Sequence, residues 1–211
     1  MAVVDLFPTK VLIKDTALTD EQLSELDVAI QAIFASHQAI TGSHVESGEE
    51  TIPLFTEENI KTFPALQTLK DIFIDGYIEL GAANSDKEIT DDTRRKIEEL
   101  VDNHAGRIPL MRTGEYKQVH CHPGAFAFAV FYLTDVDNEK DGGYLVLRDP
   151  TFNTAAFFTG EKKHLVETRA GRLIVGPAHL WHEVTPYEGD EDRVTVVSNL
   201  NVLQEDYADI F

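Results

Sequence analysis

At about Arg107 the apolar residues of this 211-residue chain change their period. Before that point they recur every three or four positions; after it they alternate. A period near 3.6 lays apolar side chains on one stripe of a helix, and a period of two lays them on one face of a strand. The change predicts a helical N-terminal portion, residues 1–105, and a β core over 106–203, within one domain spanning 1–211.

The β portion reads as eight short runs rich in β-branched and aromatic residues: "IPLMR", "EYKQVHCH", "FAFAVFYL", "YLVLRD", "KHLVETR", "GRLIVG", "LWHEVTP" and "RVTVVSNLNV". Turn formers separate them at Thr113-Gly114, Pro123-Gly124, Asp141-Gly142-Gly143, Ala170-Gly171 and Glu188-Gly189-Asp190. Short strands at this spacing suggest a sandwich or barrel, and eight of them fit a jelly roll of two four-stranded sheets.

Upstream, Thr19 and Gln22 form a capping-box pattern, followed by Leu23, Leu26, Ile30, Ile33 and Phe34 at helical spacing. Residues 43–56 are polar and read as a loop. A second helix opens at Pro64, carries Leu66, Leu69, Phe73, Tyr77 and Leu80, and ends near Gly81. A third opens near Thr90 and carries Ile97, Leu100 and Val101. These stripes predict core packing; left exposed, one of them would allow a homodimer.

A hydrophobic content of 43% suits one globular core and excludes wholesale disorder. No apolar run reaches membrane-spanning length, the N-terminus lacks the pattern of a secretory leader, and the single cysteine fits a reducing compartment. The expected location is therefore cytoplasmic. With 37 acidic against 18 basic residues, the formal net charge is −19. Such a surface repels phosphate backbones and anionic lipid, so neither nucleic acid nor a membrane is an expected partner.

The chemistry concentrates in "QVHCHPG". On a strand, Tyr116, Gln118, His120 and His122 share a face while Cys121 points away. Two imidazoles at a strand end suit a divalent ion, and His182 in "HLWHEVTPY" offers a third on a later strand. Imidazole donors point to iron, zinc, copper or nickel rather than to a calcium-type oxygen cage. Trp181, beside His182, reads as a packing aromatic.

"HCHPGAFAFAVFYL", "GGYLVLRDP" and "GRLIVGPAHLWHEVTPYEGDEDRVTVVSNLNV", together with the opening "LFPTKVLI", resemble a family of Fe(II)/2-oxoglutarate-dependent oxygenases. That family carries a His-x-His-Pro-Gly/Asn-Ser segment, a later Asp-Pro, a Leu-x-His element and a closing Arg-x-Ser. This chain has "FAFAV" where the family usually has Ser-Gly-Val, and Arg193-Val-Thr195 at the close. The resemblance implies an α+β fold with a mainly β core, a double-stranded β-helix (jelly roll) with supporting N-terminal helices. It also implies a ferrous ion, 2-oxoglutarate as co-substrate, O2, and an unidentified substrate that is a small molecule or a peptide side chain. His122 and His182 are the expected metal ligands, with no catalytic residue beyond the metal site.

For the third ligand two residues compete. Such enzymes commonly place a carboxylate two residues after the first histidine, where this chain has His122. His120 is the first choice. Asp149 is the alternative, because its strand runs the same way as the one carrying the histidines. Arg193 and Thr195 share a strand face and are expected to hold the distal carboxylate of 2-oxoglutarate, a planar guanidinium matching a carboxylate in two-point geometry. Tyr132 is expected to add a phenol. Two other readings compete: a cupin-type metalloenzyme that does not use 2-oxoglutarate, and a metal-free jelly-roll binding module.

Overall fold

The computed structural model describes residues 8–41, 52–85, 89–103, 106–149 and 162–202. Of the polar stretch expected as a loop, 43–56, residues 43–51 lie outside them.

All eight alternating runs form strands: β2 (Leu110–Met111), β3 (Lys117–His120), β4 (Ala127–Tyr132), β5 (Leu145–Arg148), β6 (Lys163–Val166), β7 (Arg172–Pro177), β8 (His182–Val184) and β9 (Arg193–Leu200). A strand inside the expected helical portion, β1 (Leu12–Asp15), joins them. All pairings between strands are antiparallel. The major sheet has the order β1-β7-β4-β9-β2, and the minor sheet β3-β8-β5-β6. Without β1, the eight runs divide four and four, the arrangement of a double-stranded β-helix. Asp15 clamps the added edge strand: its carboxylate takes two hydrogen bonds from Arg172, at 2.6 and 2.9 Å, across the Asp15–Arg172 register pair. The guanidinium holds the Asp15 carboxyl below the usual carboxylate range.

Alternation along the major sheet feeds two cores. On one face Ala127, Ala129, Phe131, Leu173, Val175, Val194 and Val196 meet the helices. On the other, Phe128, Val130, Tyr132 and Ile174 face Leu145, Leu147, Val166 and Leu180. β4 is buried on both faces, which explains why its sequence is apolar throughout rather than alternating.

The helices are α1 (Asp20–Thr41), α2 (Glu57–Thr62), α3 (Ala65–Asn84), α4 (Asp91–Asn103) and the single turn α5 (Asn138–Asp141). The capping box forms as expected: the Gln22 N–H donates to Thr19 Oγ1 at 3.3 Å, and the Thr19 N–H donates to Gln22 Oε1 at 3.0 Å. α3 runs past Gly81 to Asn84, and its stripe of Leu66, Leu69, Phe73, Tyr77 and Leu80 is buried. Gly76 lets α3 lie close on β7, since a Cβ there would stand 2.7 Å from Leu173 Cδ2 and 2.9 Å from Val175 Cγ2. α3 packs on β7 and β4, and α4 on β9. The helices therefore back the outer face of the major sheet, leaving the space between the sheets to the site. Leu26, Ile30 and Ile33 of α1 and Ile97 and Val101 of α4 are buried in this core too, while Leu23, Phe34 and Leu100 are half-buried. No described helix is long and apolar enough to cross a membrane.

Candidate metal site

The interior of the β-helix holds a cleft of about 890 Å³, lined in part by the edge strands β2 and β3. His120, His122, His182, Tyr132, Arg193 and Thr195 all line it.

Strand pairing brings the histidines together. His120 sits opposite His182 in the β3–β8 register. The His122 N–H donates to the Ala178 carbonyl at 2.9 Å, tying the residue after β3 to the turn before β8. Ligand nitrogens of all three lie within 4.8 Å of one another, and the Nε2 atoms of His122 and His182 are 3.2 Å apart. Phe128 stacks against the rings of His182 and His122, centroids 4.3 and 5.2 Å away, and floors the cluster.

Hydrogen bonds orient the rings. His182 Nδ1 lies 2.8 Å from the Leu180 carbonyl oxygen and His120 Nδ1 lies 2.7 Å from that of Gln118. A carbonyl only accepts, so each Nδ1 carries its proton and each Nε2 presents a lone pair. This is how metal-binding histidines are usually held. Burial, with smaller contributions from His120 and His122, lowers the pKa of His182 to about 3. Burial, then His120 and Arg107, lowers that of His122 to about 4. Both imidazoles are thus neutral near pH 7, as a ligand must be. At 3.2 Å the Nε2 lone pair of His182 is met either by an N–H from His122 or by a cation shared between the two rings. The donor set fits a divalent transition metal.

Asp149 is not brought to this cluster. Leu147 stands opposite His182 in the β5–β8 register, and Asp149 follows two residues later. Its N–H donates to the Lys162 carbonyl at 3.1 Å, and its carboxylate is not among the gathered ligand atoms.

Toward the other end of the interior, Arg193 is 2% exposed, so a cation in an acidic "EGDEDR" run has been drawn inside. Its burial follows from strand alternation, since Arg193, Thr195 and Val197 share the cleft-facing side of β9. Its guanidinium donates to Thr168 Oγ1 at 3.4 Å and to Met111 Sδ at 3.5 Å, and lies over the Tyr132 ring, 5.1 Å from the centroid. Among the described residues it has no carboxylate partner. Burial depresses its pKa and raises that of Tyr132, whose buried hydroxyl has no hydrogen-bond partner among the described residues. An unpaired buried guanidinium is costly, and a buried phenol without a partner adds to the cost. A buried guanidinium and phenol side by side form a donor set that suits an anionic ligand. Tyr132 stands opposite Thr195 and Phe128 opposite Asn199 in the β4–β9 register. Tyr132 and Phe128 are thus four residues apart on β4, about 13 Å along the strand, and Arg193 lies two residues beyond Thr195 on β9.

Two features escaped the sequence reading. Trp181 is 39% exposed, because the alternation that turns His182 inward turns its neighbour out. Arg107, which the sequence marked only as the start of the alternating region, lines the cleft.

Residues 108–199 match the model of a family described as "Putative 2OG-Fe(II) oxygenase". A search of curated proteins finds no match. Solved structures with a similar fold include a prolyl-4-hydroxylase from Pseudomonas putida (16% identity, 92% of this chain and 94% of that one, TM-score 0.56). A prolyl hydroxylase from Trichoplax adhaerens, in complex with a hypoxia inducible factor oxygen degradation domain peptide fragment, aligns at 14% identity over 90% of this chain and 83% of that one (TM-score 0.58). A non-heme alpha ketoglutarate dependent epimerase from nogalamycin biosynthesis aligns at 13% identity over 90% and 77% (TM-score 0.53). At these identities the likeness is one of fold.

Proposed function

We propose that the chain hydroxylates an unidentified substrate while 2-oxoglutarate is decarboxylated to succinate, a reading supported by the match of residues 108–199 to a 2OG-Fe(II) oxygenase family model. The observation that carries this reading is the pairing, in one cleft, of three convergent imidazoles with a buried guanidinium that lacks an anion. The first suits a metal; the second suits the free end of a dicarboxylate. A cupin-type enzyme that does not use 2-oxoglutarate has no need of the second.

His122, His182 and His120 would hold Fe(II), leaving positions open for a chelating co-substrate and O2. When bound, iron and 2-oxoglutarate would activate O2, the oxidant, with one oxygen atom entering the succinate formed from 2-oxoglutarate and the other the substrate C–H bond. The protein's own residues bind and orient. Arg193 would take the distal carboxylate, and Tyr132 would donate its orphaned phenol proton to the same group. The Thr195 hydroxyl donates to the Pro109 carbonyl at 3.3 Å, a long bond that a carboxylate can replace. The apolar side chains Val130, Leu145 and Val184 line the space between.

The substrate is not given by the fold, since prolyl hydroxylases and an epimerase share it. The activity itself can be tested without knowing the substrate. Aerobic incubation of the protein with Fe(II) and 2-oxoglutarate should give slow, iron-dependent succinate release matched to 2-oxoglutarate consumed. Tight iron binding with no 2-oxoglutarate consumption would favour the cupin reading.

A further inference from the structure

Arg107 is held in the major sheet by two backbone hydrogen bonds with Val197, each 2.8 Å long. That pairing fixes its direction. Ile108 and Leu110 are buried among the helices, whereas Arg107, Pro109 and Met111 line the cleft. Its guanidinium is exposed and, among the described residues, has neither an ion-pair nor a hydrogen-bond partner. In a chain with twice as many acidic as basic residues, an unpaired arginine at the mouth of the candidate active site calls for an explanation. The acidic residue lining the cleft, Glu115, does not supply a partner, since its carboxylate accepts the Arg112 N–H at 2.8 Å.

Position separates Arg107 from the other cleft arginine. Arg107 lies beside Val197, four residues along β9 from Arg193, or about 13 Å on the same face. It stands at the histidine end, close enough for its charge to act on His122. A 2-oxoglutarate reaching from the histidines toward Arg193 would leave Arg107, exposed near the histidine end, free to meet a substrate. Tyr116, 54% exposed, lines the same mouth and offers an aromatic surface beside the charge.

Resting on the oxygenase reading above, we infer that Arg107 binds a carboxylate of the substrate and that the natural substrate is a small carboxylic acid. The guanidinium fork suits a carboxylate in two-point contact. Against the negative charge of the protein, this cation gives an acid an attractive point in the cleft.

The test uses the full chain loaded anaerobically with Fe(II) and 2-oxoglutarate. Free amino acids and straight-chain monocarboxylic acids are titrated in, each alongside its primary amide. Binding is read from the change in the visible absorption of the ferrous complex, and afterwards from faster succinate release in air. At least one acid should bind, with its amide weaker by about tenfold or more. Arg107→Ala should weaken that acid by a similar factor while Fe(II) and 2-oxoglutarate affinities hold, and Arg107→Lys should recover part of the loss. Equal binding of acid and amide, silence across the whole panel, or unchanged acid binding in Arg107→Ala would each overturn the inference. So would a loss of 2-oxoglutarate affinity in Arg107→Ala, which would make Arg107 a co-substrate residue. Absence of any ferrous 2-oxoglutarate absorption in the unaltered protein would instead count against the oxygenase reading.

Discussion

His182→Ala is expected to abolish stoichiometric Fe(II) binding in a protein that still folds. His182 is 3% exposed, and its Nε2 lone pair is aimed into the cluster by the Leu180 carbonyl. Losing a ligand should cost more than losing an outer hydrogen-bond partner, which typically costs about 10–100-fold in metal affinity. Anaerobic titration with Fe(II), alongside circular dichroism to check folding, reads the effect. The same titration ranks the third ligand. His120→Ala should weaken binding nearly as much, because its ring lies 4.4 Å from that of His182. Asp149→Ala should leave it near the unaltered value, because that carboxylate lies outside the cluster. Full iron retention in His182→Ala would remove the residue from the site. A larger loss in Asp149→Ala than in His120→Ala would make the site a two-histidine, one-carboxylate triad.

Arg193→Ala should keep iron and lose 2-oxoglutarate. A buried charge deprived of its partner typically costs about 2–5 kcal/mol in binding, and here the deprived partner is the co-substrate carboxylate. Isothermal titration of 2-oxoglutarate into the iron-loaded variant, without oxygen, measures it. A companion effect follows from the same burial. With no ligand bound, Arg193 is an unpaired cation in the interior, so Arg193→Met should leave the ligand-free protein at least as resistant to denaturant. Unchanged 2-oxoglutarate affinity in Arg193→Ala would assign the guanidinium a packing role over Tyr132.

Much of this architecture could be read from alternation alone, because strands buried on one or both faces must place apolar residues regularly. Departures arose where packing contributes less. β1 has the sequence LIKD, and three of its four residues are exposed. Its strand character comes from pairing with β7 and from Asp15 gripping Arg172, neither of which is visible in a local pattern. β2 contracts to two residues because Pro109 has no N–H to donate to a ladder. The six-residue α2 depends on a side-chain cap, Thr56 Oγ1 accepting the Asn59 N–H at 3.1 Å, and is too short to show a period.

The site was legible in residue types and less so in placement. His120 and His122 announce themselves by spacing, and His182 by lying on a strand that the topology puts between β3 and β5. Arg193 sits in an acidic stretch that reads as surface. Only its register, with Thr195 and Val197 facing inward, shows that the side chain points to the interior. Arg107 carried no signal at all, because its meaning depends on β2 and β3 being edge strands that line the cleft.

The central claim, that one cleft holds both Fe(II) and 2-oxoglutarate, is tested most directly by adding the two in turn to the purified protein without oxygen and recording the visible spectrum. The account predicts a charge-transfer absorption that appears only when both are present, saturates at one equivalent of each, and is missing from His182→Ala. A protein that takes up one equivalent of Fe(II) but gives no new absorption at saturating 2-oxoglutarate would contradict it.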